Sequence, residues 1–399
     1  MRSIKEAVIK GKKVIVRVDF NVAVEAGEVV EELRIKESLP TIEYLKKHGA
    51  EAIILISHLG RPEGKVDEEL RLGPVAKTLA NLLKISHIEM EKAKDIGLSD
   101  LDMAIYHLEP NIILLENIRF YPEEERGDRK FAKKLASLGD IFINDAFSVS
   151  HRDHASVSGI AKYLPSYAGF LLEKEVAELS KLLERPTKPF LLILGGAKPL
   201  DKIPVIKNLI GRCEWFEIGG AVTNSFLKVK GIPDLGASLV EEDSLAEANE
   251  IWQMIMDEPN KDIFLPRDFV ISKSFKKAVG VKTISMDQIL ELKDSKYAIV
   301  DIGPKTLKIF GEKIKEAKTI FWNGNMGVSE VEEFSKGTYG LAKLVAGSTA
   351  YKVIGGGDTT GFVSSKGLTD KFSFVSTGGG ATLEFLAGKR LPGIEALEK

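Results

Sequence analysis

The chain has 399 residues, 44% of them hydrophobic and 29% charged, and this balance is typical of a globular protein. Single hydrophobic cores stop growing below that length, so we expect two domains. The net charge of −2 argues against nucleic-acid or membrane partners, and no apolar stretch is long enough to span a membrane, so we expect a cytoplasmic protein. Cys213 is the only cysteine, which excludes internal disulfides and a cysteine-rich metal site.

Apolar runs of strand length alternate with helical patterns along the whole chain, and this alternation predicts an α/β fold. The predicted strands are 14–18, 52–56, 112–115, 141–143, 191–194, 215–218, 263–265, 298–300, 319–322, 352–354 and 374–376. Residues 170–183 (FLLEKEVAELSKLL) form one amphipathic helical pattern without a breaker, and Pro186 follows it. We predict that this helix connects the two domains.

In the first 155 residues, the predicted strands end in polar and charged residues. They are Arg17, Asp19, Asn21, His58, Arg61, Arg119 and Arg152. Ligands bind at the carboxyl ends of parallel strands, and arginines gathered on one face are costly without an anion whose oxygens match their planar forks. These charged strand ends therefore predict a site for a small, multiply charged anion in the N-terminal half.

Each of these residues also has an ordinary interpretation. The arginines can be surface charges scattered in solvent, and His58 can be a hydrogen-bonded loop histidine. Asp19 and Asn21 can form an Asx turn instead of holding the hydroxyls of a ligand. Arg34, in the segment EELRIKESLP ahead of a predicted helix, cannot be distinguished from a surface charge by its position alone.

Beyond residue 190, the predicted strands end mostly in glycine. In PFLLILGGAKPLDK (189–202), an apolar strand leads into Gly195 and Gly196 and then into Lys198 and Lys202, four residues apart. If a helix begins near Pro199, both lysines lie at its start, where backbone amides also favour an anion. The pattern predicts a phosphate site, with an ordinary strand-to-helix turn and solvated lysines as the alternative.

Two triple glycines follow neighbouring predicted strands, in GGGDTTG (355–361) and STGGGATLEFL (376–386). One glycine is enough for a turn, so three in a row favour contact between backbone amides and a polyphosphate. Asp358 would then lie near a bound Mg²⁺, and the alternative is that it is the N-cap of a helix. The Walker pattern and the GxGxxG fingerprint are both absent from the sequence.

Nine motifs, in order along nearly the whole chain, resemble those of phosphoglycerate kinases. They are RVDFNV (17–22), SHLGRP (57–62), ENIRFYPEEE (116–125), NDAF with HRDHAS (144–156), LGGAK with DK (194–202), DIGPKT (301–306), WNGNMGVSE (322–330), GGGD (355–358) and STGGGATLEFLAGKRLPGIEAL (376–397). The resemblance implies reversible phosphoryl transfer between 1,3-bisphosphoglycerate and ADP, giving 3-phosphoglycerate and ATP, in glycolysis and gluconeogenesis. Such an enzyme is a phosphotransferase with a carboxyl group as acceptor. It would use Mg²⁺ bound with ADP or ATP and would be a monomer or a homodimer.

The resemblance also implies two Rossmann-like domains with parallel sheets flanked by helices, joined by a hinge helix. Residues 1–169 would bind 3-phosphoglycerate, residues 170–184 would form the interdomain helix, and residues 185–384 would bind the nucleotide. Residues 385–399 would return to pack on the N-terminal domain.

Matched motif by motif, the resemblance implies a role for each site residue. The implied catalytic residues are Arg34, Lys198, Gly356 and Gly379. The implied phosphoglycerate ligands are Asp19, Asn21, Arg34, His58, Arg61, Arg119 and Arg152. The implied nucleotide ligands are Gly195, Lys198, Lys202, Gly219, Gly303, Asn323, Glu330, Gly355, Gly356, Gly357, Asp358 and Thr359. Among them, Lys198 would hold the transferred group, Glu330 would hold the ribose, and Asp358 would be the metal ligand.

The chain departs from the family pattern at five positions. Asn325, Ser329, Ala221, Pro199 and Ser148 stand where the family usually has, in that order, a proline, an aromatic residue, a glycine, a small aliphatic residue and a glycine. None of these changes removes a charged site residue.

Two other function classes remain as alternatives. A nicotinamide dehydrogenase would use His58 or His151 as the acid, but the missing GxGxxG fingerprint weighs against it. A non-catalytic scaffold that binds a phosphorylated metabolite would not need Lys198, Arg34 and Asp358 together.

Overall fold

The computed structural model describes residues 1–85, 89–92, 104–109 and 111–398. The chain divides into two compact units, one formed by Met1–Ala177 with Arg390–Lys399 and the other by Glu178–Lys389. The division falls inside the helix that the sequence predicts as the connector. The predicted domain limits at residues 169, 184 and 384 stay predictions, and residue 399 lies outside the described residues.

The elements of the first unit follow in chain order. Its strands are β1 (Lys13–Arg17), β2 (Val24–Glu25), β3 (Glu28–Val29), β4 (Ala52–Ile56), β5 (Glu89–Lys92), β6 (Ala104–Glu109), β7 (Ile112–Leu115), β8 (Ile141–Asn144) and β9 (Ser166–Ala168). Its helices are α1 (Leu33–Lys47), α2 (Gly73–Leu82), α3 (Pro122–Glu125), α4 (Arg129–Ala136) and α5 (Phe170–Glu184), the last of which continues into the second unit.

The elements of the second unit continue the numbering. Its strands are β10 (Phe190–Leu194), β11 (Trp215–Ile218), β12 (Asp262–Phe264), β13 (Asp268–Ser272), β14 (Lys282–Ser285), β15 (Ala298–Ile302), β16 (Thr319–Asn323), β17 (Tyr351–Gly355) and β18 (Phe374–Val375). Its helices are α6 (Pro199–Leu209), α7 (Val222–Val229), α8 (Leu245–Met256), α9 (Pro304–Glu316), α10 (Lys336–Gly347), α11 (Gly357–Ser365) and α12 (Gly380–Leu386). A short helix, α13 (Pro392–Glu395), belongs to the C-terminal part of the first unit.

A seven-stranded sheet forms the centre of the first unit, in the order β5-β6-β7-β4-β1-β8-β9. In that order, the strands from β7 to β9 pair in parallel, and β6 pairs antiparallel with both of its neighbours, β5 and β7. Side chains alternate between the two faces of a strand, so Val14 and Val16 enter one core and Ile15 enters another. Because both faces are covered, the strands have continuous apolar sequences, and their carboxyl ends meet at one edge of the sheet.

A six-stranded, fully parallel sheet forms the centre of the second unit, in the order β12-β11-β10-β16-β17-β18. Buried residues of α9 and α10, among them Phe310 and Leu341, pack with Ile193 and Trp322 on one face. The two triple glycines follow β17 and β18, which are neighbours, as the sequence indicates. The α/β prediction is therefore confirmed.

The predicted strand 298–300 is an exception to the parallel arrangement. It is part of β15, which pairs with β13 in a separate antiparallel sheet of order β14-β13-β15. Its apolar sequence is as compatible with this small sheet as with a parallel one. Sheet membership depends on partners far away in sequence, which an apolar run alone does not reveal.

Three local predictions can be compared directly with the structure. Helix α5 confirms the helical pattern at 170–183. Helix α6 begins at Pro199, which is the condition under which the sequence places Lys198 and Lys202 at a helix start. Arg34 lies in the first turn of α1 and not ahead of it, because the helix already begins at Leu33. Cys213 is buried. Within the described parts of the chain, no helix is long and apolar enough to cross a membrane.

The C-terminal residues of the first unit pack beside its sheet edge. The amide nitrogen of Arg2 donates to the Leu397 carbonyl at 3.1 Å, and the amide nitrogen of Gly393 donates to the Ser150 carbonyl at 2.8 Å. The side chain of Asn144, the last residue of β8, donates to the Gly393 carbonyl at 3.1 Å. These bonds attach α13 to the loop that follows β8.

Candidate functional site

Charged side chains gather at the carboxyl edge of the seven-stranded sheet. We call Asp19, Arg34, His58, Arg119 and Arg152 the basic edge. The carboxylate of Asp19, which is 3% exposed, accepts hydrogen bonds from the side chains of Arg34 and Ser148. Asp19 therefore orients the Arg34 guanidinium, and Ser148, one of the five departures from the family pattern, supports the same carboxylate.

Asn21 connects two of the predicted strand-end motifs. Its backbone amide donates to Asp19 Oδ1 at 3.1 Å, which is the Asx-turn geometry that the sequence left open. Its side-chain Oδ1 accepts a hydrogen bond from the Gly60 amide at 2.9 Å. Asn21 thus holds the SHLGRP loop beside the RVDFNV loop.

His58 is buried among cations. Its Nδ1 lies 3.2 Å from Arg17 Nη2 and 3.8 Å from Asp19 Oδ1. Burial lowers the pKa of His58 well below its usual range, and four arginine charges lower it further. Those charges belong to Arg17, Arg119, Arg34 and Arg152. At neutral pH His58 is therefore uncharged, and it adds no positive charge to the basic edge.

A buried network fixes Arg17 beneath the basic edge. Arg17 is fully buried, and its Nε donates to Ser156 Oγ at 2.9 Å. The Ser156 hydroxyl donates to Glu124 Oε1 at 2.6 Å, and its backbone amide donates to Glu124 Oε2 at 2.8 Å. Burial lowers the pKa of Arg17, and the negative charges of Glu124 and Asp19 oppose that effect. Sequence analysis missed Glu124 and Ser156, because nothing local relates them to Arg17.

The three remaining arginines that were predicted to bind the anion, Arg119, Arg152 and Arg61, differ in exposure. Arg119 is 4% exposed, its Nη1 donates to the Gly60 carbonyl at 2.8 Å, and its Nε lies 3.2 Å from Glu125 Oε1. Burial, reinforced by the charges of Arg17 and Arg152, lowers the pKa of Arg119 to about 10. Arg152 is half-buried and Arg61 is exposed. The pKa of Arg119 is lowered because its positive charge is buried and is repelled by neighbouring arginines. An anion bound among these arginines would stabilise their charged forms.

Glycine residues form the corresponding edge of the six-stranded sheet. We call Gly195, Gly196, Gly220, Gly355 and Gly356 the glycine edge. The amide of Gly195 donates to the Asn323 carbonyl at 2.9 Å and that of Gly196 donates to the Asn325 carbonyl at 2.7 Å. A Cβ on Gly195 would overlap the Asn325 carbonyl, so glycine is required for this close approach. Gly356 has a φ of 96° and is the N-cap of α11.

Two lysines and one carboxylate lie at the glycine edge. Lys198 is exposed and immediately precedes α6, while Lys202, one turn later, is 8% exposed. Burial lowers the pKa of Lys202, the charges of Asp201 and Asp358 raise it, and that of Lys198 lowers it. These three charges are therefore close enough to Lys202 to act on its pKa. Because Gly356 is the N-cap of α11, the alternative that Asp358 is the N-cap is wrong.

A cavity of about 240 Å³ opens beside these residues. Its polar lining includes Asp358, Glu330, Asn224, Asn325 and Ser329. Its apolar lining includes Leu239, Phe275, Ile299, Val300, Met326 and Val328. Ala221, Asn325 and Ser329, three of the five departures from the family pattern, are all in its wall. Sequence analysis missed Asn224, and the only local signal is that it lies one helical turn past the IGG strand end.

Several predicted nucleotide residues have structural bonds of their own. The Asn323 side chain donates to the Gly355 carbonyl at 2.8 Å, and the Thr359 hydroxyl accepts from the Gly324 amide at 2.7 Å. The Gly219 amide donates to the Leu194 carbonyl at 2.8 Å. Gly379 is the N-cap of α12 with a φ of 55°. These bonds hold the loops of the glycine edge against one another.

Gly303 lies apart from the parallel strand ends. It follows the antiparallel strand β15 and is the N-cap of α9. Its amide donates to the Asp268 carbonyl at 3.0 Å, and a Cβ would overlap the Asp268 carboxylate. Close packing against Asp268 therefore accounts for a glycine here, and its role toward a nucleotide stays a prediction.

The residues at the glycine edge fit a metal ion that is carried by a nucleotide. Within the described ranges, no three histidine, cysteine or acidic residues gather as a metal cluster. Asp358 is exposed in the first turn of α11 and lines the cavity. Mg²⁺ in nucleotide sites is typically held by one or two carboxylates together with phosphate oxygens and water. A single carboxylate next to a phosphate site has that chemistry.

Comparison with known proteins agrees with the motifs. The family model for phosphoglycerate kinase matches residues 4–389. A phosphoglycerate kinase of Coprothermobacter proteolyticus is 48% identical over 100% of this chain and 98% of its own length. One of Moorella thermoacetica is 46% identical over 99% of this chain and 98% of its own. The solved structure of phosphoglycerate kinase from Coxiella burnetii is 36% identical, covers 99% of this chain and 98% of its own, and has a TM-score of 0.80.

These matches span both units and both sets of strand-end motifs. They exclude the dehydrogenase alternative, because these relatives are named phosphoglycerate kinases. The chain therefore belongs to the phosphoglycerate kinase family and is a phosphotransferase that moves a phosphoryl group reversibly between 1,3-bisphosphoglycerate and ADP, giving 3-phosphoglycerate and ATP in glycolysis and gluconeogenesis.

Proposed function

We propose that the basic edge binds 3-phosphoglycerate and that the glycine edge binds the nucleotide together with Mg²⁺. The proposed phosphoglycerate ligands are Asp19, Asn21, Arg34, His58, Arg61, Arg119 and Arg152. The proposed nucleotide ligands are Gly195, Lys198, Lys202, Gly219, Gly303, Asn323, Glu330, Gly355, Gly356, Gly357, Asp358 and Thr359. Arg34, Lys198, Gly356 and Gly379 are the proposed catalytic residues.

One observation carries this assignment: arginines surround the buried His58. Arg17 Nη2 lies 3.2 Å from its Nδ1, and Arg34 is bonded to Asp19, whose Oδ1 lies 3.8 Å from the same nitrogen. Arg119 is bonded to Gly60, two residues after His58. Like charges close together in a low-dielectric environment repel, and an anion between them removes that cost. 3-Phosphoglycerate carries a phosphate and a carboxylate, so it has two groups that match planar arginine forks. Uncharged His58 can hydrogen-bond the same ligand without adding to the repulsion.

The glycine edge supports nucleotide binding by a different chemistry. The N-terminus of α11 follows Gly356, and its first amides have no partner within the helix, so they favour a phosphate. Lys202 is mostly buried, and its charge is better tolerated when an anion is bound. Asp358 is exposed at the same helix start and is the proposed protein ligand of Mg²⁺, which would neutralise part of the phosphate charge.

The reaction requires charge stabilisation and not proton removal. The attacking atom is a carboxylate oxygen in one direction and a phosphate oxygen in the other, so it is already ionised and needs no general base. Catalysis then depends on alignment and on stabilising the negative charge of the transferring phosphoryl group. We assign this to the Lys198 ammonium, the Arg34 guanidinium that Asp19 orients, and the backbone amides at Gly356 and Gly379.

We further propose that the enzyme acts in the cytoplasm as a monomer or a homodimer. The net charge of −2 supports an aqueous compartment without nucleic-acid or membrane binding. Light scattering on the purified chain distinguishes a monomer from a homodimer, and fractionation of the source cells tests the location.

A crossed binding experiment tests the assignment of the two ligands. Arg152→Ala and Lys202→Ala are titrated calorimetrically with 3-phosphoglycerate and with ADP plus Mg²⁺. Arg152→Ala should weaken phosphoglycerate binding about tenfold or more and Lys202→Ala should do the same for ADP, since each change removes one charge-assisted contact. Each variant should keep the other ligand's affinity within about twofold. If both variants weakened the same ligand, or if each weakened the other's ligand, the assignment would be wrong.

A further inference from the structure

Within the described chain, the ring of His58 has a hydrogen-bond partner at one of its two nitrogens. Its Nδ1 lies 3.2 Å from Arg17 Nη2, and an arginine side chain carries donors but no acceptor. Arg17 is therefore the donor in this bond and Nδ1 is the acceptor, so Nδ1 carries no proton. A neutral imidazole has one N–H group, which places the proton of His58 on Nε2.

Arg17 cannot turn away from this bond, because the rest of its guanidinium is anchored. It is fully buried, and its Nε donates to Ser156 Oγ at 2.9 Å. Its Nη1 donates to the Val18 carbonyl and, at 3.4 Å, to the Ile56 carbonyl. Ser156 is itself held by Glu124. Bonds at Nε and Nη1 of one planar group fix the direction of its third nitrogen, Nη2.

The distances decide between Arg17 and the other group beside Nδ1. Asp19 Oδ1 lies 3.8 Å from Nδ1, beyond hydrogen-bond distance, and it already accepts from the Asn21 amide at 3.1 Å. A proton on Nδ1 would therefore face the Arg17 N–H without gaining a bond to Asp19. Two donors opposed in a buried site repel, so the form with its proton on Nδ1 and the doubly protonated form are both disfavoured.

The second ring nitrogen is available to a ligand. His58 is 3% exposed, and its Nε2 has no hydrogen-bond partner among the described residues. Nor is this atom sealed from solvent, unlike Nδ1 of His154, which is buried without a partner. The Nε2–H group of His58 is therefore a donor that a ligand at the basic edge can reach.

We propose that Arg17 is a positioning residue that holds His58 in the neutral form with its proton on Nε2. His58 then donates a hydrogen bond to an oxygen of the bound phosphoglycerate. The inference rests on the proposed function, because it takes the basic edge as the phosphoglycerate site, and Arg17 is not one of the proposed ligands there. Fixing the proton before binding removes the cost of selecting one form of the ring when the ligand arrives.

A ring without Arg17 would have a second choice. Asp19 would be the nearest acceptor for a proton on Nδ1, and Nε2 would then present a lone pair. Ionised phosphate and carboxylate oxygens are acceptors, so they are repelled by a lone pair and need a donor. Burial and arginine charges lower the pKa of His58, so a second proton on the ring does not supply that donor. The donor on Nε2 therefore depends on which neutral form Arg17 selects.

The form of the ring is read by NMR on protein with isotope-labelled histidine, in which protonated and unprotonated ring nitrogens have widely separated shifts. His58→Gln identifies the signal among the six histidines. In the ligand-free parent, we expect a protonated Nε2 and an unprotonated Nδ1, and added 3-phosphoglycerate should shift the Nε2 proton. A protonated Nδ1, or an Nε2 proton that does not respond to saturating ligand, would overturn the proposal.

One variant and one matched control locate the cause. A lysine is shorter than an arginine, so Arg17→Lys keeps the buried positive charge but does not reach the ring. The form protonated on Nδ1 should then appear, because Asp19 becomes the nearest partner. Arg119→Lys also alters an arginine whose charge acts on the ring, but Arg119 donates to the Gly60 carbonyl, so the parent form should persist. A ring that keeps the parent form in Arg17→Lys, or changes equally in both variants, would refute the role of Arg17.

Calorimetric titration measures the consequence for binding. Arg17→Lys should weaken 3-phosphoglycerate binding about three- to tenfold, the effect of about one hydrogen bond. It should keep the affinity for ADP plus Mg²⁺ within about twofold. An unchanged phosphoglycerate affinity in a variant whose ring has changed form would contradict the donor role of His58. If Arg17→Lys does not fold, the form of the parent ring and the response of its Nε2 proton decide.

The NMR measurement and the crossed titration can fail independently. If Arg152→Ala leaves 3-phosphoglycerate affinity unchanged, the ligand is not bound at the basic edge and the proposed function is wrong. If Arg152→Ala weakens that binding while Nδ1 of His58 is protonated in the ligand-free parent, the basic edge stands and only the role of Arg17 is wrong.

Discussion

The basic edge of the first unit and the glycine edge of the second represent two ways to build an anion site. At the basic edge the charge is on side chains, and buried groups hold them from beneath: Asp19 orients Arg34, and Ser156 holds Arg17 under the edge. At the glycine edge much of the site is backbone, and what it needs is space, since a Cβ on Gly195 would overlap the Asn325 carbonyl. A side-chain site therefore requires a network beneath it, whereas a backbone site requires the absence of side chains.

Burial shifts the pKa of titratable groups in both units, and in the first unit it raises that of Asp145 to about 7. In the first unit, burial and arginine charges lower the pKa of His58, and they lower that of His154 to about 3. In the second unit, burial raises the pKa of Asp301 to about 7 and that of Glu217 well above its usual range. Cation-rich surroundings hold histidines uncharged, and apolar surroundings hold carboxyls uncharged.

Removing the lysine at the start of α6 should have the largest effect. We expect Lys198→Ala to lower kcat by about two to four orders of magnitude with a much smaller change in KM, because its charge acts mainly on the transferring group. Lys207→Ala, on the same helix but paired with Glu250, should change kcat less than about twofold. Steady-state kinetics measure both, and a Lys198→Ala kcat within threefold of the parent would remove Lys198 from its role.

Adding one methyl group to the glycine edge tests the need for space. A Cβ at Gly356 would lie 2.6 Å from Asn323 Nδ2, and the residue's φ of 96° is unfavourable for any side chain. We expect Gly356→Ala to weaken ADP binding about 10- to 100-fold and to leave 3-phosphoglycerate binding intact. Gly361→Ala, in the same helix with nothing near its Cβ, is the control. Calorimetric titration that finds the two variants alike would contradict the comparison.

Neutralising the carboxylate at the glycine edge should have a moderate effect. We expect Asp358→Asn to raise the Mg²⁺ concentration for half-maximal rate about three- to tenfold, because an amide is a poorer ligand for a hard cation. The exposed Asp370, in the turn after α11, provides the matched Asp370→Asn control. An unchanged Mg²⁺ requirement in Asp358→Asn would mean that Asp358 is not the metal ligand.

The smallest expected effect is a pH-dependent change in stability at Glu217. This carboxyl lies on β11 opposite Ile193 and Phe264, and neither of its oxygens has a partner within the described chain. Burial raises the folded pKa of Glu217 well above its unfolded value of about 4.5, so the stability that this side chain contributes below pH 4.5 is lost as pH rises. The Tm of Glu217→Gln should therefore equal the parent Tm near pH 4.5 and be a few degrees higher at pH 7. In a large domain, a change of about 1 kcal/mol in the free energy of unfolding shifts Tm by about 2–4 °C.

His154 provides the opposite case in the first unit. Its folded pKa of about 3 is below the unfolded value of about 6.5, so its contribution is present above pH 6.5 and is lost as pH falls. The Tm difference between the parent and His154→Gln should therefore shrink as pH is lowered from 7 to 4. Scanning calorimetry over this range measures both variants. If the Tm differences from the parent changed with pH in the same direction for Glu217→Gln and His154→Gln, these opposite pKa directions would be contradicted.

Sequence alone predicted the α/β class, the strand-end motifs and eleven of the eighteen strands that the structure describes. It did not predict β2, β3, β5, β6, β9, β13 and β14. Runs such as FLLIL before Gly195, or the uninterrupted pattern of α5, depend on local apolar periodicity and on where glycine permits a turn. Those signals act within about ten residues and need no knowledge of distant partners. They also sufficed to place both lysines at the start of α6, because a proline marks the first turn of that helix.

Tertiary structure decided which of these residues meet and which are buried. The bonds from Ser156 to Arg17 and from Ser148 to Asp19 each span more than a hundred residues, and they depend on β1 lying beside β8 in the sheet. The antiparallel pairing of β15 and the burial of Glu217 likewise depend on the elements that surround them. Local propensity cannot specify them, because their energies arise from desolvation and from contacts that exist only once the sheets have assembled.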